Sequence, residues 1–277
     1  MSVLAQMSFQ APPKRAQRAP FVLLTGGKGG VGKTTLATNL GVQLAETGKR
    51  VLLVDLDLGL ANVNVMLRLN TPRNIEDALS GEASFKECVI EAPGGLHVLP
   101  AGSGTTAMGK PDEERRRKLL DAIHELSMSY DIILGDSAGG IGHDVLDFAT
   151  RADRVVIVTT PQPMAMTDAY GLIKALDTWA LEQGREIPTP ELFVNQSSGV
   201  IEAETTGNRL KSVCERFLAR APRMAGWMPF AADVAECALR QRPFASRRGK
   251  SLENQCLGQF SRRIARLSGA VQPASTR

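Results

Sequence analysis

The sequence has few cysteines, and their spacing excludes the usual structural uses of cysteine. Cys88, Cys214, Cys237 and Cys256 are the only four in 277 residues, and no two of them form a C-x-x-C pair. A disulfide framework or a zinc knuckle needs paired cysteines, so we expect four reduced, buried thiols. The absence of pairs also argues against an iron–sulfur or metal carrier that shares cysteines across a dimer.

Long hydrophobic runs and a strong net charge are missing as well. No apolar stretch approaches the roughly 18 residues that a membrane-spanning helix needs, and the first twenty residues lack the continuous apolar segment of a signal peptide. We therefore expect a soluble, cytoplasmic protein. Thirty-three Lys and Arg oppose 29 Asp and Glu to give a net charge of +4. This weak balance counts against direct DNA binding.

Short apolar segments alternate with segments of helical period along most of the chain. We predict strands over 21–26, 50–57, 96–100, 130–136, 154–161 and 191–196, and helices over 34–48, 111–129, 167–184, 203–221, 231–241 and 251–269. The alternation shows no second compositional regime. It predicts an α/β fold with a single doubly wound, mainly parallel sheet flanked by helices.

The predicted domain covers residues 20–268, between a flexible N-terminal arm (1–19) and a disordered tail (269–277). The last predicted helix leaves two interpretations open. Its apolar face, which includes Phe260 and Ile264, suits a helix in the core. It also suits an amphipathic helix that lies on anionic lipid. We favour the core helix, because no separate second amphipathic segment follows it.

A glycine-rich segment, GGKGGVGKTT, occupies residues 26–35. Its residues 27–34 fit the pattern G-x-x-x-x-G-K-[ST], with a predicted strand before it and a helix after it. Such a loop surrounds phosphates with backbone N–H groups at the positive end of a helix. Lys33 is expected to reach the β- and γ-phosphates, and Thr34 to ligate Mg²⁺. The expected nucleotide-binding residues here are Gly27, Lys28, Gly29, Gly30, Val31, Gly32, Lys33, Thr34 and Thr35.

Lys28 has no task in this arrangement. At the tip of the loop its ammonium should point outward, either into solvent or across a dimer interface toward the phosphates of a facing copy. The segment KGGVGKTT resembles the deviant Walker A motif of the MinD/ParA group of ATPases. In that group the first lysine acts across an ATP-sandwich dimer. The resemblance implies ATP hydrolysis, an ATP-dependent homodimer and a catalytic role for Lys28 beside Lys33.

Acidic residues stand at the ends of two predicted strands. Asp55 and Asp57 end one strand and Asp136 ends another, at the edge where open α/β sheets bind ligands. Such residues can orient a water or hold Mg²⁺, or they can cap a helix or form a turn. The resemblance implies that Asp57 positions the hydrolytic water, that Asp55 supports the metal's waters, and that Asp136 is the Walker B aspartate, which binds Mg²⁺.

The same resemblance bears on one further residue, Asn195, and on the segment 136–142. Asn195 matches the asparagine that reads adenine in the group, although the residues alone favour a loop-forming asparagine. The segment DSAGGIG (136–142) departs from the group's Asp-Ser/Thr-Pro-Ala-Gly, because alanine replaces proline. The loop after Asp136 is therefore expected to be more flexible.

Several longer segments resemble the FlhG/FleN branch, the regulators of flagellar number. They are DLGLANVNVMLRL, NIEDALSG, PGGLHVLPAGSG, AGGIGHDVLDF and TDAYGLIKAL. The resemblance covers about residues 20–268. It implies partners of three kinds: a signal-recognition-type GTPase, components of the flagellar switch ring and, in some bacteria, a flagellar transcriptional activator. MSVLAQMSFQ does not match the Asp-Gln-Ala-x-x-Leu-Arg motif with which some members stimulate the GTPase, so that stimulation is in doubt.

An ATPase of this group could also serve functions other than control of flagella. A related ATPase could position the division site from the membrane, or a plasmid or chromosome on DNA. Peripheral contact with the inner face of the cell membrane also stays open. Basic residues at 240, 242, 247, 248 and 250 form either a solvated face or an interaction surface.

Overall fold

The computed structural model describes residues 17–102, 112–184, 186–218, 220–247 and 249–269. Its strands are β1 (Phe21–Gly26), β2 (Val51–Leu56), β3 (Ile90–Ala92), β4 (Leu96–Leu99), β5 (Ile132–Gly139), β6 (Arg154–Thr159), β7 (Glu191–Ser197) and β8 (Arg223–Pro229). They form one sheet in the order β3-β4-β2-β5-β1-β6-β7-β8. Neighbouring strands pair in parallel except β3 and β4, which are antiparallel.

The helices cover both faces of this sheet. They are α1 (Lys33–Glu46), α2 (Val63–Leu67), α3 (Ile75–Ser80), α4 (Glu113–Ser127), α5 (His143–Arg151), α6 (Pro163–Glu182), α7 (Val200–Phe217), α8 (Ala232–Leu239) and α9 (Leu252–Ala265). Successive residues of a strand point to opposite faces. Leu23 of β1 therefore joins the core under α4–α7, while Leu24 joins the core under α1 and α9. The predicted fold class is confirmed.

The six predicted strands are present, but the sequence pattern missed two strands and three helices. β8 and the three-residue β3 both lie at edges of the sheet. β8 is mostly half-exposed, and its apolar segment MAGWM contains a glycine and no β-branched residue, so its strand signal is weak. The missed helices α2, α3 and α5 have 5, 6 and 9 residues. Segments this short carry too few turns for a clear helical period.

Two residues of the predicted arm, Arg18 and Ala19, contact the folded domain. Arg18 makes a two-bond ion pair with Asp153, at 2.7 and 2.6 Å, and Ala19 is buried with its N–H bonded to the Ser127 carbonyl. The rest of the predicted arm, residues 1–16, lies outside the described residues. At the other end a short 3₁₀ turn runs from Arg266 to Gly269, and residues 270–277 of the predicted tail also lie outside them.

Helix α9 packs in the core, as the favoured interpretation predicted. Leu257, Phe260 and Ile264 are buried under the sheet, and the Phe260 ring lies 4.8 Å from the ring of Phe193 on β7. The expectation of free, buried cysteines is also confirmed. In the described part of the chain, no helix has both the length and the apolar character needed to cross a membrane.

Candidate nucleotide-binding site

The predicted site residues converge where β1, β2 and β5 end. In the parallel register, Asp136 of β5 lies opposite Leu24 of β1 on one side and Asp55 of β2 on the other. The carboxyl ends of these strands therefore meet at one edge of the sheet. The phosphate loop (residues 27–32) leaves β1 at this edge and leads into α1 at Lys33.

The phosphate loop is held by close packing that only glycine allows at two positions. A Cβ on Gly27 would lie 2.1 Å from the carbonyl carbon of Asp168 in α6. Gly32 has a φ of +90°, and a Cβ there would lie 2.3 Å from Nδ2 of Asn195. At Gly29, by contrast, a Cβ would meet no heavy atom within 4 Å. The loop is therefore fixed at its ends and open at its tip, where backbone N–H groups can face phosphates.

Asn195 ties the loop to the end of β7. Its Nδ2 donates to the carbonyl of Val31 at 2.8 Å, and its Oδ1 accepts from the N–H of Gln196 at 2.9 Å. The Val31 side chain is buried in the core, so Val31 anchors the loop as well. An amide group has two donors and two acceptor sites, which leaves Asn195 one N–H and one lone pair for adenine. Its adenine-reading role stays a prediction.

The exposed ring of Phe230 lies near this end of β7, since the Phe230 N–H donates to the carbonyl of Ser197 at 2.8 Å. The sequence analysis did not select Phe230. An aromatic residue directly after a strand, as Phe230 is after β8, is a feature of the sequence from which it could have been predicted.

Lys33 is buried between the loop and two aspartates. Its ammonium donates to the carbonyl of Lys28 at 3.2 Å. Burial lowers the pKa of Lys33, while the charges of Asp136 and Asp57 act in the opposite direction. Its charge therefore lies between the loop and the strand-end carboxylates, where phosphate oxygens are expected.

Asp136, in β5, is almost completely buried. It is 1% exposed, and its two carboxylate oxygens have no hydrogen-bond partner of ordinary geometry among the described residues, although the Thr34 hydroxyl lies close by. Burial raises its pKa to about 7, although the neighbouring Thr34 hydroxyl and Lys33 ammonium lower it in part. A buried carboxylate without a partner destabilises the fold. A divalent cation at Thr34 and Asp136 would satisfy it, so these residues fit Mg²⁺.

Asp55 has a different local role. One carboxylate oxygen accepts from the N–H of Asp57, and the other accepts from Asn62 and Val63 at the start of α2, each at 3.2 Å. Burial and the charge of Asp136 raise its pKa well above the ordinary range, while these backbone bonds lower it. The carboxylate thus acts as a helix cap, one of the alternatives that the sequence left open. Support of a metal's waters by Asp55 stays a prediction.

Asp57 is half-buried at the mouth of the site. Burial raises its pKa, the Lys33 ammonium lowers it, and Asp144 in the first turn of α5 raises it. Asp144 is a second acidic residue at this mouth that the sequence analysis did not select. A half-buried carboxylate at this position is suited to accept a hydrogen bond from water.

Lys28, in the phosphate loop, is half-buried. A Cβ on Gly139 would lie 2.6 Å from the Lys28 carbonyl carbon, so the end of β5 packs against its backbone. Across the described ranges, its ammonium takes part in no hydrogen bond or ion pair. Leu60 and Ile141, in two loops that follow strands, and Met164, in the first turn of α6, are exposed. None of the three was predicted from the sequence, although large apolar residues just after strands are a visible signal.

The assembled groups are those that a nucleoside triphosphate and a divalent cation require. The loop supplies N–H donors and the positive end of α1, Lys33 supplies a buried cation, and Asp136 supplies a free carboxylate. The role of Asp57 in positioning a water stays a prediction. Among the described residues, no group of three or more His, Cys, Asp or Glu forms a metal-binding cluster.

Comparison with known proteins identifies a family and several relatives. A family model described as an AAA domain matches residues 21–187. The antiactivator FleN of Pseudomonas aeruginosa is 35% identical over 221 residues, which cover 80% of this chain and 77% of that protein. The flagellum site-determining protein YlxH of Helicobacter pylori is 41% identical over 155 residues, which cover 56% of this chain and 52% of that protein.

A solved structure of the MinD cell division protein from Aquifex aeolicus is also similar. It is 26% identical with a TM-score of 0.70, and the match covers 93% of this chain and 100% of that chain. The phosphate loop and the three strand-end aspartates lie within the range of the family model, and Asn195 lies beyond it.

Proposed function

Since the chain belongs to the MinD/ParA-type P-loop ATPases, we propose that it is an ATP-driven dimeric switch that controls the number or placement of bacterial flagella. ATP is the substrate of this enzyme and Mg²⁺ is its cofactor. The flagellar part of the proposal is carried by one observation, the 35% identity to FleN over most of the chain. The switch part rests on the geometry of the site.

Within one subunit, the described residues divide the work of hydrolysis. The phosphate loop binds the phosphates through its N–H groups, and Lys33 neutralises the terminal charge. Thr34 and Asp136 would hold Mg²⁺, which supplies charge that stabilises the transferring phosphoryl group. Asp57 orients the attacking water by accepting its hydrogen bond. Asp55 keeps the segment after β2 in place through its three backbone bonds.

The ammonium of Lys28 has no role in its own subunit's site. Instead, the Lys28 of one copy completes the site of a second copy. Lys28 is half-buried, and its ammonium is not paired with any residue that the structure describes. When two copies close face to face, each Lys28 reaches the phosphates held by the other and stabilises the charge of the transition state. The same closure covers the exposed side chains of Leu60, Ile141 and Met164. Hydrolysis removes the terminal phosphate and reopens the dimer.

This cycle gives the two nucleotide states different surfaces, so that partner choice follows the nucleotide. By its likeness to FleN, whose name describes an antiactivator, we propose a flagellar transcriptional activator as one partner. A signal-recognition-type GTPase and components of the flagellar switch ring are the other proposed partners. We also propose a cytoplasmic location with peripheral contact at the inner face of the membrane.

The alternative function is placement of the division site. It is favoured by the similarity to MinD of Aquifex aeolicus. The same ATPase cycle would then act on division rather than on flagella, and the site residues would keep their roles.

Deletion of the gene in its host, followed by electron-microscopic counts of flagella and by cell-length measurement, separates these functions. The flagellar proposal predicts an abnormal number or position of flagella with normal division. Complementation by the wild-type gene and by Lys174→Ala, an exposed lysine on α6 away from the phosphate loop, should restore the pattern. Complementation by Lys33→Ala should not. Normal flagella with minicells or filaments would reject the flagellar cargo and support division.

A further inference from the structure

A basic region separate from the phosphate loop lies on the same face of the sheet as α1 and α9. After α8 the chain passes through Arg240, Arg242 and Arg247, and these three side chains border one cavity of about 370 Å³. Pro93 and Pro243 form an apolar wall, and Ser246 contributes a hydroxyl group. A cavity of this size falls in the range of small-ligand sites.

The backbone around this cavity is well fixed. Phe244 is buried beneath it, and the N–H of Ala245 donates to Oδ1 of Asn39 on α1 at 3.0 Å. The carbonyl of Arg247 accepts from Nδ2 of Asn254 on α9 at 3.1 Å. The arginines are therefore presented by a segment that is bonded to two helices rather than by a loose surface loop.

The cavity is separate from the nucleotide site. Pro93 precedes Gly94 in the turn between β3 and β4, and Gly94 packs against Val42 and Glu46 in the last turns of α1. The phosphate loop lies at the opposite end of the same helix. A ligand in this cavity would leave the nucleotide in place.

The charges at the cavity are only partly balanced. Arg240 pairs with Glu236 at 2.6 Å, and Arg247 pairs more loosely with Asp233 at 3.7 Å. Arg242 has no ion pair within the described residues. Glu46 lies near the apolar wall but does not line the cavity. A guanidinium group donates in a planar fork that matches the oxygens of a phosphate group, and Arg242 is free to do so.

We propose that this cavity is a second anion site, which binds a phosphate-bearing ligand independently of the nucleotide at the phosphate loop. Arg242 is its main ligand-binding residue, with Arg247 and the Ser246 hydroxyl beside it. The phosphate group could belong to a free small molecule or to a lipid headgroup. Leu239, which is 86% exposed next to Arg240, would contact the lipid only in the second case.

Calorimetric titration tests the site with inorganic pyrophosphate as the probe. The full chain is first saturated with Mg·ADP at constant excess Mg²⁺ and low salt, so that the phosphate loop is occupied. Pyrophosphate should bind, and Arg242→Ala should weaken this binding about ten-fold or more, as expected for the loss of a charged hydrogen bond. Arg117→Ala, an exposed arginine on α4 across the sheet, is the matched control and should leave binding unchanged.

A second variant keeps the test valid if Arg242→Ala folds poorly, which loss of ADP binding would reveal. Arg242→Lys retains the charge and loses the planar fork, so its affinity should fall by a few-fold while that of Arg117→Lys stays constant. Equal pyrophosphate binding by the Arg242 variants and the Arg117 controls, or no binding by the wild type, would overturn the proposal.

Flotation with vesicles identifies the source of the phosphate group. A lipid headgroup is assigned if the protein binds phosphatidylglycerol vesicles but not phosphatidylcholine vesicles. Both Arg242→Ala and Leu239→Ser should then reduce this binding. Leu181→Ser changes a leucine of similar exposure, 83%, on the other face of the sheet and is the control. Pyrophosphate binding that depends on Arg242, without vesicle binding, would assign a soluble ligand. Binding of duplex DNA alone, with neither pyrophosphate nor vesicles, would contradict the site.

Discussion

The side-chain amide of Asn195 is hydrogen-bonded to the carbonyl of Val31, 164 residues earlier in the chain, with 2.8 Å between donor and acceptor. The bond is sheltered, because Asn195 is 8% exposed and Val31 is buried. It joins the end of β7 to the phosphate loop. The shape of the loop therefore depends on β7, which is not adjacent to β1, the strand that leads into the loop. Changes at Asn195 should alter nucleotide affinity.

Replacement of Asn195 by alanine should lower ATP affinity by about ten-fold, since a buried carbonyl loses its donor at a cost of roughly 1–3 kcal/mol. If the rest of the amide reads adenine, as predicted, the preference for ATP over GTP should also fall. Calorimetric titration with both nucleotides measures the two effects. Asn208→Ala, on the exposed face of α7, should change neither affinity, and unaltered ATP binding by Asn195→Ala would show that the bond is dispensable.

Gly27→Ala should destabilise the nucleotide-free protein and abolish tight ATP binding. The new Cβ would lie 2.1 Å from the Asp168 carbonyl carbon, so either the loop or α6 must move. Gly29→Ala is the matched control in the same loop, because a Cβ there meets nothing within 4 Å. Thermal unfolding without nucleotide should show a lowered Tm for the first variant and an unchanged Tm for the second. Equal Tm values would contradict the packing of Gly27 on α6.

Asp136→Asn should stabilise the nucleotide-free protein at high pH. The folded-state pKa of Asp136 is raised from 3.8 to about 7, so the folded state holds a proton that the unfolded state releases. This group therefore reduces stability as pH rises from about 4 through 7, and the loss is complete above pH 7. The asparagine variant should gain about 2–4 kcal/mol in unfolding free energy at pH 8.

Urea denaturation at pH 8 and pH 5 measures this effect. The gain should be smaller at pH 5, where most of the wild-type Asp136 is protonated in the folded state. Mg·ATP should raise the Tm of the wild type and fail to raise that of Asp136→Asn. A variant that is less stable than the wild type at pH 8, or that keeps the full Mg·ATP effect, would contradict the role assigned to Asp136.

Phe260→Ala tests the position of α9 in the core. The ring is buried and lies 4.8 Å from the ring of Phe193, so its loss should lower the unfolding free energy by about 3–5 kcal/mol. Leu252→Ala, at the start of the same helix and 48% exposed, should change it by about 0.5 kcal/mol or less. Urea denaturation of both variants measures these changes in unfolding free energy. A small effect of Phe260→Ala would mean that α9 is not fixed in the core in solution.

The phosphate loop could be predicted from the sequence because its chemistry is local. Gly27 and Gly32, the lysine at 33 and the threonine at 34 occupy fixed positions in one short motif. The meeting of Asp55 and Asp136 followed from the parallel sheet. The capping role of Asp55 depends on N–H groups seven and eight residues later, and only the folded chain shows that its carboxylate is already in use.

Other features had a signal that the sequence analysis did not use, or no local signal at all. The capping box of α3, in which Asn74 and Asp77 bond each other's backbone N–H groups, is visible in the sequence NIED. The bond from Asn195 to Val31 has no counterpart in any local pattern. That bond forms only when distant segments of the chain come together. The edge strand β8 has an apolar segment, MAGWM, but it contains a glycine and no β-branched residue, so its strand signal is weak.

The cross-dimer role of Lys28 can be measured by mixing two variants that are each inactive. Lys28→Ala lacks the ammonium that reaches the facing copy, and Asp57→Ala lacks the carboxylate that orients water. In a mixed dimer, the Lys28→Ala subunit keeps its own Asp57 and receives the missing ammonium from its partner. ATP turnover of the mixture should then recover to at most about a quarter of the wild-type rate, because about half of the dimers are mixed and each has one complete site. If Lys28 acts within its own subunit, no site in any dimer is complete, and the mixture will stay as inactive as the separate variants.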